Sequence, residues 1–342
     1  VSFFLRNQMD KSEKIAYVSV LSLLSLSLLL LIVFLFLLCR KKPIRSDESL
    51  LTEIKPAGHA YPLTELDSAT DGFNQRRILG SGRLGTVYAA VLPEHKNLVA
   101  VKRIHPGLVL SKPGFGFSTV LKTLSSCHHP NVVSILGFSE APGERIVVTE
   151  LVGEARSLSD HLHGDSDLET AVSTGDLDWR KRIKIAAAAA RGLEYLHDVI
   201  SPRIVHGRFT SSNILLDDKF AAKVSDYGFG FLIPREKSEI SGYIEEGYCK
   251  ESDVYGYGVV LLEILSGRRS ENGLIVKWAT PLIKEQRFGE LLDPRVVVQS
   301  ETKCLVIRLA KVALACVGNS RRSRPSISQV AAILNSLERE GG

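Results

Sequence analysis

Hydrophobic and polar positions divide the chain into an apolar opening block and a longer region of mixed periodicity. Residues 15–39 carry no charged side chain and are dominated by Leu, Ile, Val and Phe. At about 1.5 Å rise per residue, roughly 20 residues cross the hydrocarbon core of a bilayer, so this block predicts a transmembrane helix. Arg40, Lys41, Lys42 and Arg45 follow it, against a mixed flank of Arg6, Asp10, Lys11, Glu13 and Lys14 on the other side. The positive-inside bias then predicts residues 1–14 as a short extracellular N-terminus, too few for a folded ectodomain, and everything after the block as cytoplasmic. The expectation is a single-pass plasma-membrane protein in contact with the lipid bilayer through residues 15–39. Residues 40–73 read as a basic juxtamembrane linker punctuated by Pro43, Pro56 and Gly58, then a short helix with Thr64 as its N-cap and an end near Gly72.

Beyond that point the periodicity changes. Residues 86–91, 99–102 and 146–148 are short, β-branched and apolar, and read as strands. Leu177-Asp178-Trp179 opens a long helical pattern through the alanine run 186–190 to His197, and residues 259–265 form a second, largely apolar helical stretch. Residues 164–175 are polar and acidic and read as an exposed loop.

Composition narrows the classes. Apolar content of 44% and charged content of 24% fit a globular region plus one strongly apolar segment, and a net charge of +5 spread along the chain gives no case for nucleic acid. Cys39, Cys127, Cys249, Cys304 and Cys316 are scattered without zinc or redox spacing and read as reduced thiols; Cys39, beside basic residues, is either a palmitoylation site or a plain interfacial cysteine. The only methionine is Met9 and the chain opens on Val1, so it reads as a piece of a longer chain or as one whose start is Met9.

Candidate chemistry lies in three clusters. Gly80-Ser81-Gly82-Arg83-Leu84-Gly85-Thr86-Val87 is a glycine-rich turn, and Val99-Ala100-Val101-Lys102 follows as an apolar strand ending in Lys. Glycines let backbone approach phosphate closely. A dinucleotide-binding turn would need a helix directly after the glycines, whereas residues 86–91 are strand-like. The second cluster is His206-Gly207-Arg208-Phe209-Thr210-Ser211-Ser212-Asn213, followed by Ile214-Leu215-Leu216; the third is Asp226-Tyr227-Gly228.

Together with Leu66-Asp67-Ser68-Ala69-Thr70 before Phe73 and Leu177-Asp178-Trp179 through Leu193-Glu194-Tyr195-Leu196-His197, these motifs resemble the plant receptor-like protein kinases, over roughly residues 61–338. The resemblance implies an α+β, bilobal protein-kinase-like fold preceded by one transmembrane helix, with a β-rich N-lobe over 74–152 and a helical C-lobe over 153–338. It implies that Gly80, Ser81, Gly82, Gly85, Val87, Ala100, Lys102, Thr149 (the gatekeeper position), Glu150, Leu151 and Leu215 surround a nucleotide. Asn213 and Asp226 would hold magnesium if ATP with Mg²⁺ binds, and His206, Tyr227, Asp253 and Arg324 would be structural.

The resemblance fails where chemistry is done. Arg208 stands at the catalytic-base position, Thr210 at the catalytic-Lys position and Val120 at the position of the Glu that pairs Lys102. These absences do not depend on register: no carboxylate lies between Asp198 and Asp217, and none between Glu94 and Glu140. Lys102 is therefore expected to lean on Asp226 or on solvent. Gly242-Tyr243-Ile244-Glu245-Glu246 replaces a proline-containing family motif, with Glu245 or Glu246 expected to pair with Arg324. The favoured reading is a membrane-anchored inactive kinase serving as scaffold or allosteric partner of active receptor kinases or cytoplasmic signalling proteins. A weakly active serine/threonine kinase, and an interaction module that binds no nucleotide, are the alternatives.

Overall fold

The computed structural model describes residues 19–29, 31, 58–93, 98–111, 116–164, 177–232, 249–270 and 274–342. The chain divides into two units, residues 1–55 and 56–342. In the first, residues 19–29 are helical, and Ser22 and Ser25 donate their hydroxyls to the carbonyls of Ser19 and Ser22, at 2.8 and 2.9 Å.

The expected transmembrane helix is not upheld. Among the described residues, no helix is long and apolar enough to cross a membrane. The single-pass plasma-membrane assignment and the bilayer contact through 15–39 fall with it. Residues 15–18, 30 and 32–57 lie outside the described residues, as do most of the 164–175 loop and the 242–246 motif.

The second unit begins with a strand the sequence reading did not expect. A six-stranded sheet has the order β1-β5-β6-β4-β3-β2, built from His59–Ala60 (β1), Ile78–Ser81 (β2), Gly85–Ala90 (β3), Val99–Ile104 (β4), Ile135–Ala141 (β5) and Glu144–Glu150 (β6). β1 runs parallel to β5, with His59 opposite Gly137. Behind it, Leu63–Ala69 forms α1, whose N-cap is Pro62; Thr64 sits inside the helix and caps nothing. Period-two alternation sorts β4 between its faces. Val99 and Val101 join Leu66 of α1 in a small core, while Ala100 and Lys102 turn toward the opposite side. On that side lies Phe117–Leu124 (α2), burying Phe117, Leu121 and Leu124.

The helical lobe is organised on two elements. Trp179–Glu194 (α3) is capped by Asp178, whose carboxylate accepts from the Lys181 amide at 2.8 Å, and its alanine run lets neighbours approach closely. Lys250–Ser266 (α4) is apolar nearly all round and buried accordingly. It ends at Gly267, in the left-handed region at φ 65°, where a side chain would collide with Asp293 and Arg295. Between these helices, Ile214–Leu216 (β7) and Ala222–Val224 (β8) form a hairpin that presents the chain segments on either side of it to the cleft between the lobes.

Candidate active site

The cleft measures about 780 Å³, within the range of small-molecule sites. All eleven residues expected to surround a nucleotide line it, and so do Arg208, Thr210, Asn213, Asp226 and Tyr227. Val120, His206, Asp253 and Arg324 lie outside its wall.

The roof is the β2–β3 hairpin. The Gly82 amide donates to the Gly85 carbonyl at 3.0 Å to close its turn. Side chains at Gly80 and Gly82 would meet open space, so these positions leave room over the cleft; at Gly85 one would strike the Arg103 carbonyl. His105, which the sequence reading passed over, bonds the Gly82 carbonyl through Nε2 at 2.8 Å and fixes the loop from below. The inner wall carries Thr149 and then Glu150, whose carboxylate accepts from Lys223 Nζ at 2.8 Å and from the Ser134 amide at 2.7 Å.

Lys102 is paired with Asp226, both partly buried. With no carboxylate on α2, this is the acid the fold supplies to it. Opposite unit charges about 4 Å apart attract by about 4 kcal/mol at an effective dielectric constant of about 20, before desolvation is counted. Asp226 is held in the left-handed region at φ 58°, followed by Gly228 at φ 76°. Between them Tyr227 turns inward, fully buried, and donates its hydroxyl to the Val133 carbonyl at 3.0 Å. Burial drives its phenol well above the ordinary value, so it stays neutral. The same burial pushes the neighbouring Cys127 thiol up to about 11.

The loop opposite keeps its framework. Asp253 does not cap α4, whose N-cap is Cys249; it reaches across to accept from the backbone amides of His206 at 2.7 Å and Gly207 at 2.8 Å, and its carboxylate also meets His197 at 2.8 Å. His206 Nε2 meets the Ser225 carbonyl at 2.9 Å, joining this loop to the Asp226 turn. Burial holds its imidazole below the usual value, against the opposing pull of Asp253 and Asp226. Asn213 donates its side-chain amide to the Arg208 carbonyl at 2.9 Å, and its own carbonyl accepts from the Ser225 amide at 2.8 Å. Arg324 donates to the Glu251 carbonyl at 3.0 Å and to the Gly318 carbonyl at 2.9 Å; the expected partners Glu245 and Glu246 lie outside the described residues.

An apolar slot of Leu79, Val87, Ala100, Val147, Leu151 and Leu215 beneath an open glycine roof fits a nucleotide base and its phosphates. A divalent ion fits poorly. Asp226 is occupied by Lys102, and Arg208 adds a second cation to the same wall. Among the described residues no three His, Cys, Asp or Glu side chains are placed to hold a metal.

A two-lobed fold with this cleft defines a protein-kinase domain. The family model of protein tyrosine and serine/threonine kinases matches residues 73–334. The serine/threonine-protein kinase-like protein CCR2 of Arabidopsis thaliana is 36% identical over 82% of this chain and 34% of its own length, and the Arabidopsis serine/threonine-protein kinase PBS1 is 37% identical over 82% and 64%. The pseudokinase domain of BIR2, an immune regulator of the RLK/Pelle family, superposes with a TM-score of 0.68 at 29% identity, covering 82% of this chain and 89% of that one. The chain belongs to the protein kinase family, in its plant receptor-like branch. It spans from about a third to under two thirds of the length of these two curated relatives.

Proposed function

We propose that this chain is a catalytically inactive kinase-fold signalling protein, which holds a nucleotide in its cleft and acts by contact with active kinases. The observation that carries the reading is the state of the carboxylates. Among the described residues lining the cleft these are Glu150, Asp160, Asp226 and Glu263. Glu150 is held by Lys223, Asp160 closes the capping box with Ser157, Asp226 is held by Lys102, and Glu263 accepts from the Ser270 amide at 2.6 Å. Each of the four is thus engaged by a partner within the fold, and Arg208, charged at any physiological pH, stands where the base belongs.

A base contributes about 10²–10⁴-fold to such a reaction, and loss of the loop Lys and the ion-pair Glu compounds that deficit without simple additivity. The scaffold around the gap is intact, as in a domain kept for its surface and its response to ligand. The likeness to the BIR2 pseudokinase supports the same reading. Members of the family use ATP with Mg²⁺; here ATP is the proposed ligand and active receptor kinases or cytoplasmic signalling proteins the proposed partners. The test is radiolabelled ATP with the full 342-residue chain and a generic protein substrate. Incorporation no higher than that of a Lys102→Ala control is expected; turnover that the substitution abolishes would overturn the proposal.

A further inference from the structure

A protein kinase ordinarily ties the helix of its smaller lobe to the cleft by an ion pair between the strand Lys and a Glu on that helix. Here α2 carries no carboxylate, and Lys102 is paired with Asp226 instead. At the start of α2 the Ser118 amide donates to the Glu140 carboxylate of β5 at 3.1 Å, a contact within the sheet's own lobe. The polar contact with the cleft lies at the other end. Tyr227, which lines the cleft, donates its hydroxyl to the Val133 carbonyl at 3.0 Å, and the carbonyl of Leu124, the last residue of α2, lies 3.4 Å from the same oxygen. The next residue, Gly228, seats α2 directly: a side chain there would strike Leu124, the added Cβ falling 2.9 Å from its Cδ2. Val133 is fixed from below, its amide donating to the Val224 carbonyl at the end of β8 at 2.9 Å.

We infer that Tyr227 is a positioning residue that replaces the missing ion pair: its hydroxyl, beside the close seat at Gly228, fixes the end of α2 and the turn after it to the cleft, and Lys102 takes no part. The Phe usual at this place in the family fills the same space without the hydroxyl. The added oxygen supplies a donor to a buried carbonyl, and such a group left without one costs free energy. Tyr227 is fully buried and its phenol stays neutral, so this tie carries no charge, unlike the ion pair it stands in for. α2 therefore keeps its place whether or not Lys102 is held by Asp226.

Hydrogen exchange of the full chain, of Tyr227→Phe and of Lys102→Ala tests it. The reporting amides are Ser125 and Cys127, which donate to the Leu121 and Leu124 carbonyls at 2.8 and 3.1 Å and close the end of α2; the amides of α4 are the internal control. In Tyr227→Phe, Ser125 and Cys127 are expected to exchange about tenfold faster, the effect of about one lost hydrogen bond, with α4 unchanged. In Lys102→Ala they are expected to keep the rates of the unaltered chain. Circular dichroism establishes that each variant is folded, and the Lys102→Ala comparison stands by itself if Tyr227→Phe is not. Unchanged exchange at Ser125 and Cys127 in Tyr227→Phe would overturn the inference, as would faster exchange there in Lys102→Ala. Acceleration of α4 to the same degree would also overturn it, by making the hydroxyl a general support of the fold. None of these results touches the inactive reading, which the transfer assay tests separately.

Discussion

Arg208 changes the charge of its loop without disturbing the fold around it. Its carbonyl still anchors Asn213 and its neighbours His206 and Gly207 still hang from Asp253, so the loop geometry survives the loss of its acid. Restoring the acid alone is therefore not expected to restore transfer: Arg208→Asp stays at background in a radiolabelled ATP assay, because Lys102 remains tied to Asp226. The triple reversion Arg208→Asp, Thr210→Lys, Val120→Glu is expected to raise incorporation measurably, by up to the 10²–10⁴-fold attributed to a positioned base. A second expectation concerns His206, buried between Asp253, Asp226 and His197 and held below its usual value by burial. The unfolded chain takes up this proton near pH ~6.5 and the folded one resists it, so its contribution is complete above ~6.5 and is lost as pH falls through the folded value. Melting temperature is expected to decline from pH 7 toward pH 5, and His206→Asn to flatten that decline. At this scale motif spacing named eleven residues that the fold brings to the cleft wall, but not others that share it, such as Ile135, Ser157 and Arg269. It could not show that Glu150 is bound by Lys223 or that His105 braces the glycine loop, because those partners are far apart in sequence and meet only in the folded chain.

At the scale of elements, local signals worked where they were strong. Asp178 before an apolar, alanine-rich run predicts a helix with a definite start, and Trp179–Glu194 has it. Phe117–Leu124 is the helix that carries Val120. What escaped was β1, since two residues carry no periodicity and the strand exists only because β5 offers an open edge. Its docking explains Gly137. A side chain there would strike the His59 carbonyl and the Tyr61 ring, with the added Cβ at 2.3 and 2.5 Å. Gly137→Val is thus expected to expel residues 58–61 from the sheet edge, destabilising the fold by about 1–3 kcal/mol as overpacking does. Hydrogen exchange reads the difference directly: the Tyr61 amide, which donates to the Phe138 carbonyl at 2.8 Å, loses protection while the β4–β6 ladder keeps its own. Unchanged exchange at Tyr61 would mean that the strand is not held by this contact.

Across the whole molecule, the bilobal kinase fold followed from the sequence and the membrane span did not. Residues 15–39 satisfied the hydropathy test, and among the described residues no helix is long and apolar enough to cross a membrane. What long-range order rests on in the helical lobe is a charge pair that no local pattern reveals. Arg182 of α3 and Asp293 are both about 1% exposed and meet at 2.7 Å, and Arg182 also donates to the carbonyls of Leu177 and of Ile264 on α4. The pair therefore ties three separated segments at one buried point. Burial pushes the Asp293 carboxyl up, but donors from Arg295 and Arg182 outweigh it and hold the group below the usual carboxylate range. Asp293→Ala leaves a buried guanidinium without its counter-charge, a loss of about 3–5 kcal/mol at neutral pH by urea denaturation. Because a depressed carboxylate stabilises the fold above its unfolded value of ~3.9 and loses that contribution as pH falls through the folded one, the gap between wild type and variant is expected to close in acid. A gap that persists unchanged below pH ~3 would assign the loss to packing instead of charge.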